Sequence, residues 1–126
     1  MQTILIDFYQ LESYEKTENG SYIAHILLNK EHDIFKGHFP GNPVTPGVCM
    51  IQIVKELSEE FTGKKLFLKS ASNVKFMAII NPFETPELKL QLDITEAEEE
   101  IKVKNTTLFG ETIALKMSVN YKKLTQ

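Results

Sequence analysis

Along the second half of the chain, apolar and polar residues alternate. Leu88, Leu90, Leu92 and Ile94 are separated by Lys89, Gln91 and Asp93, the period of two expected of a strand with one buried and one wet face. Ile113, Leu115, Met117 and Val119 repeat the pattern. The spacing predicts strands over Lys65–Ser70, Asn73–Ile80, Glu87–Thr95 and Glu100–Tyr121, the last broken by a turn near Phe109-Gly110. Two earlier strands are expected over Ile4–Leu11 and Tyr22–Leu28, with Glu18-Asn19-Gly20 as a turn because Asn and Gly tolerate positive φ. Between these groups, Val48–Phe61 contains neither Gly nor Pro and is followed by Gly63, which predicts a helix and its stop. The helix is apolar nearly all round in its first two turns, apart from Gln52, which suits enclosure by other elements. Lys55, Glu56, Glu59 and Glu60 predict a solvated second half. One long helix among antiparallel strands defines an α+β layout, the helix packed on one sheet face.

From Glu31 to Gly47 the texture changes. Pro40, Pro43, Pro46, Gly37, Gly41 and Gly47 fall within seventeen residues, so regular helix or sheet is not expected there. Phe35, Phe39 and Val44 give this loop something to bury. Neither a linker nor an internal repeat divides the 126 residues, and one domain spanning 1–126 is expected.

Composition narrows the function. A net charge of −3 leaves no positive field for nucleic acid or an anionic membrane. No apolar run approaches the ~20 residues that span a bilayer, and the first residues do not read as a signal peptide. Cys49 is the only cysteine, so no intrachain disulfide forms and a cytoplasmic location is expected. Cys49 itself reads as a small core residue. His25 and His32 read as structural or surface residues, and the acidic run Glu96, Glu98, Glu99, Glu100 as a solvated hairpin tip.

His38-Phe39-Pro40-Gly41-Asn42-Pro43-Val44-Thr45-Pro46-Gly47-Val48 resembles the HFPGxPxxPG loop of the 3-hydroxyacyl-acyl-carrier-protein dehydratases. Asn73-Val74-Lys75-Phe76, with Asn81-Pro82-Phe83-Glu84 after it, looks like that family's VKF strand and proline turn. The resemblance implies a hotdog fold, an antiparallel sheet wrapped around one central helix and paired with a second copy through edge strands. It implies an acyl tunnel at the dimer interface, entered by the phosphopantetheine arm of acyl carrier protein or by a CoA thioester, with no metal or redox cofactor. Phe39, Pro46, Val48 and Phe76 are the expected substrate contacts, and the packing of Phe35, Met50, Phe76 and Met77 would set the tunnel depth.

The chemistry of the residues agrees with this picture. Removing a proton beside a thioester carbonyl needs a base that titrates near the working pH, which the His38 imidazole supplies. Gly47 lies where loop becomes helix, so its N–H is a helix-start donor able to polarise the carbonyl, and its missing side chain would let substrate come close. The family's acidic residue, fourteen positions after the histidine and acting from the opposite subunit, is here Gln52. An amide can hydrogen-bond but cannot serve as a general acid, a role that contributes about 10²–10⁴-fold. Three readings follow. The chain is a dehydratase in which Gln52 positions water or substrate, or a hotdog thioesterase in which Gln52 holds the attacking water. Alternatively it is a partner subunit completing the site of an acid-bearing paralogue, or a carrier-protein docking module. A homodimer, hexamer or heteromer suits a site that needs two chains.

Overall fold

The computed structural model describes residues 6–37 and 43–124. Six strands, β1 (Tyr9–Lys16), β2 (Ser21–Leu28), β3 (Leu66–Phe76), β4 (Glu87–Glu96), β5 (Glu100–Phe109) and β6 (Thr112–Lys123), accompany two helices, α1 (Asp33–Gly37) and α2 (Gly47–Thr62). The strands form one antiparallel sheet in the order β1-β2-β4-β5-β6-β3. In β4 the alternation holds as read: Leu88, Leu90 and Leu92 are buried while Lys89, Gln91 and Asp93 are exposed. In β6 it breaks once, because the register shifts between Thr107 and Leu108 of β5 and both Ala114 and Leu115 turn inward.

The sheet closes on α2. Met50, Ile53, Val54 and Leu57 of the helix share one apolar cluster with strand residues such as Ile26, Leu90 and Val119. Full burial of each such side chain stabilises the fold by roughly 1.5–3 kcal/mol. The helix ends as its sequence predicts: Gly63 adopts φ 71° and its N–H reaches the Glu59 carbonyl at 2.9 Å.

Four expectations are corrected. The first strand is not Ile4–Leu11: positions 4 and 5 lie outside the described residues, and 6–8 form a turn with Asp7 at φ 58°. The Asn29 side chain donates to the Asp7 carbonyl at 2.8 Å and pins that turn, so β1 runs later, over Tyr9–Lys16. Second, the Gly/Pro-rich segment contains a helical turn, α1, ahead of its first proline. His32 caps it, its Nδ1 accepting from the Ile34 N–H at 3.1 Å while Nε2 meets the Ile6 carbonyl at 2.9 Å. Phe35 on α1 is buried and stacks on Phe8 at 5.1 Å.

Third, Lys65–Ser70 and Asn73–Ile80 do not form two strands. They merge into β3, which carries Asn73 at φ 51° within the second of two register shifts against β6 and ends at Phe76. Fourth, the second half of α2 is not uniformly solvated, since Glu56 is 1% exposed and Ser58 is fully buried. Among the described residues, no helix is long and apolar enough to cross a membrane.

Candidate active site

The N-terminus of α2 opens on a groove of about 590 Å³ built from two segments, 44–48 and 76–80. The Thr45 N–H donates to the Ile80 carbonyl at 2.9 Å and ties the two together. The groove is apolar. Val48 is 74% exposed and Ile79 69%, and Phe76 and Met77 are each 53% exposed. Pro46, Gly47, Val48 and Phe76, four of the expected site residues, are therefore brought together around it. Phe35 and Met50, expected to help set a tunnel depth, are instead closed into the core.

Pro46 in extended conformation (φ −62°, ψ 142°) leads into the helix, and no side chain caps it. Gly47 is the first helical residue, so its N–H has no intrahelical acceptor and carries the positive end of the helix dipole. The absence of a side chain at 47 also has a cause within the chain itself. A Cβ there would lie 2.7 Å from Cζ of Phe76 and 3.2 Å from its Cε2, well inside normal carbon contact. Glycine makes room for the Phe76 ring in the structure as it stands.

His38 and Phe39, the expected base and an expected substrate contact, lie outside the described residues. Gln52 is described and does not line the groove. Five residues beyond Gly47, it lies about 140° around the helix at roughly 100° per residue. Gln52 Nε2 donates to Oε2 of Glu56 at 3.0 Å. The Tyr9 hydroxyl from β1 donates to Oε1 of the same carboxylate at 2.8 Å. Burial, reinforced by that hydrogen bond to Glu56, pushes the Tyr9 hydroxyl far above its ordinary pKa, so it stays a donor. The sequence reading missed both Tyr9 and Glu56. The available signal was the spacing of 52 and 56, which puts the two side chains on one helix face.

The remaining candidates take the roles expected of them. Cys49 is buried, and burial pushes its thiol pKa up, away from nucleophilic reactivity. His25 is exposed on β2. At the β4–β5 tip, Lys123 holds Glu96 at 2.6 Å and Lys69 holds Glu100 at 2.9 Å. Those hydrogen bonds lower both carboxyl pKa values.

Comparison with known proteins gives this architecture a class. Over 97% of its length the chain superposes, with TM-score 0.71 and 20% identity, on 99% of a chain from the dehydratase heterocomplex ApeI:P of Xenorhabdus doucetiae. It also superposes with TM-score 0.69 and 11% identity on a putative thioesterase, yhdA, of Lactococcus lactis, covering all of both chains. A sheet wrapped on one long helix, shared with dehydratases and thioesterases, makes this a hotdog-fold protein. Sequence similarity is more specific. The chain is 30% identical over 121 residues to the 3-hydroxyacyl-[acyl-carrier-protein] dehydratase FabZ of Caulobacter sp. (strain K31), covering 88% of this chain and 71% of that protein. It is 35% identical over 106 residues to the FabZ of Pediococcus pentosaceus, covering 76% and 68%. Residues 14–116 match the ApeI-like family, described as ApeI dehydratase, and the chain belongs to that family.

Proposed function

We propose that this chain acts on 3-hydroxyacyl thioesters carried by acyl carrier protein, in fatty acid or related acyl-chain synthesis, as a hydro-lyase of the dehydratase type. The observation that carries the reading is the groove at the start of α2, where the Gly47 N–H meets an apolar surface formed by Pro46, Val48 and Phe76. A thioester carbonyl bonded to that N–H acquires enolate character as the proton beside it leaves. His38 takes that proton. The carbon–oxygen bond at C3 then breaks, and the proton held by His38 passes to the departing hydroxide, which leaves as water. Gln52 positions the hydroxyl without supplying a proton.

Gln52 and Gly47 lie on different sides of α2, which suits a site assembled from two chains. β3 supports this arrangement. Among the described residues it pairs only with β6, which leaves its other edge free to meet an edge from a second chain. We take the working unit to be a homodimer, or a higher even oligomer, in the cytoplasm. Incubation with 3-hydroxyacyl and 2-enoyl thioesters, following enoyl absorbance and free thiol together, tests the activity. Interconversion of the two without thiol release is expected, and His38→Ala should abolish it. Thiol release without enoyl turnover would make the protein a thioesterase.

A second reading is favoured by one observation, the amide at position 52. In a heteromer with a carboxylate-bearing paralogue, this chain would contribute His38 and Gly47 while the paralogue contributes the acid. The similarity to a chain of the ApeI:P heterocomplex supports that arrangement. Mixing the two proteins should then create activity that His38→Ala in this chain removes. Activity unchanged by that variant would count against the heteromer.

A further inference from the structure

Among the described residues, Glu56 is the only buried charged side chain. Burying a carboxylate is costly unless donors surround it. Two of its partners, the Tyr9 hydroxyl at 2.8 Å and Gln52 Nε2 at 3.0 Å, are donors to its two oxygens. The contact orients the Gln52 amide with its NH₂ toward Glu56, since the NH₂ is the donating end of an amide. With Nε2 bonded to Glu56, Oε1 is the end of the amide that can accept from a ligand at this partly buried position.

We propose that Glu56 is a positioning residue that holds Gln52 with its carbonyl oxygen toward the ligand, so that position 52 selects a hydrogen-bond donor at C3 of the acyl chain. This rests on the reading that Gln52 reaches the substrate. A 3-hydroxyl supplies the donor. A 3-oxo group cannot, and would set two carbonyl oxygens against each other. The chemistry of the pair also states what removing the charge does. In Glu56→Gln, the Tyr9 hydroxyl still donates to the oxygen at 56, and the new amide donates its NH₂ to Oε1 of Gln52. The Gln52 amide then turns over and offers NH₂ to the ligand, changing an acceptor into a donor without changing the shape of the site.

The test measures affinities of short 3-hydroxyacyl and 3-oxoacyl pantetheine thioesters in a His38→Ala background, which blocks elimination during the titration. With Glu56 intact, the 3-hydroxy ligand should bind about tenfold more tightly than the 3-oxo ligand, the equivalent of one neutral hydrogen bond. Glu56→Gln should erase or reverse that ratio, whereas a merely structural role would weaken both ligands alike. Gln52→Ala, which leaves Glu56 bonded to Tyr9, should also lose the preference and covers the case in which Glu56→Gln fails to fold. A ratio unchanged in Glu56→Gln or retained in Gln52→Ala overturns the positioning role alone. If neither thioester binds with Glu56 intact, the functional reading falls and the positioning role with it.

Discussion

The contact between Gly47 and Phe76 can be tested by filling it. In Gly47→Ala the new Cβ lands 2.7 Å from Cζ of the ring, where carbon contacts normally settle at about 3.5–4.0 Å. The ring must therefore retreat by roughly an ångström. Overpacking costs typically ~1–3 kcal/mol, and the low end applies because Phe76 is about half exposed and can turn toward solvent. Against this, alanine is favoured over glycine in a helix by at most about 1 kcal/mol, less in the first turn. The single variant should thus be neutral to about 1 kcal/mol less stable. In a Phe76→Ala background the obstacle is gone, and the same substitution should stabilise the chain. Urea unfolding of the four proteins closes a double-mutant cycle, with an expected coupling of about 1–2 kcal/mol. Additivity within ~0.5 kcal/mol would refute the claim that Phe76 is what excludes a side chain at 47.

Two further perturbations probe the charges. Gln52→Glu places a second carboxylate against Glu56 and turns a stabilising bond into repulsion; the melting temperature should fall, and Glu56→Gln in the same chain should restore it, because an amide again bridges the pair. A single variant as stable as the parent would refute the contact. Lys123→Met should flatten the acid limb of the stability curve. Glu96 has its pKa lowered by Lys123 in the folded chain, so its contribution is present above the unfolded carboxylate pKa and is lost as pH falls through the lower folded value. Denaturation at pH 7 and at pH 3 should separate parent and variant more at pH 7. The reverse order would contradict that pairing.

What could be read in advance followed the physics of burial. β4 was legible because one face is wet and the other enclosed, so its side chains alternate. α2 was legible because nothing between Val48 and Phe61 breaks a helix and Gly63 stops it. β1 was not: an edge strand with Glu12, Ser13, Glu15 and Lys16 exposed needs only the ladder to β2 and shows no apolar rhythm. β3 looked like two strands because its middle, Ser70-Ala71-Ser72-Asn73, is small, polar and exposed along a bulged edge. The site divided in the same way. Its glycine and prolines were visible as a motif, whereas Glu56 looked like a surface acid because charge ordinarily means exposure. Tyr9, brought from β1 across the fold, supplies one of the donors beside which a carboxylate can be buried there.

The pairing of an amide at 52 with a carboxylate at 56 also constrains how such a site can be altered by mutation. Glutamine and glutamate codons differ at their first base alone, so exchanging the two side chains takes two single-base changes. One order passes through two amides, which can still bond to each other and to Tyr9; the other passes through two enclosed carboxylates. The first route avoids setting two carboxylates against each other beside the Tyr9 hydroxyl, so it carries the smaller electrostatic cost.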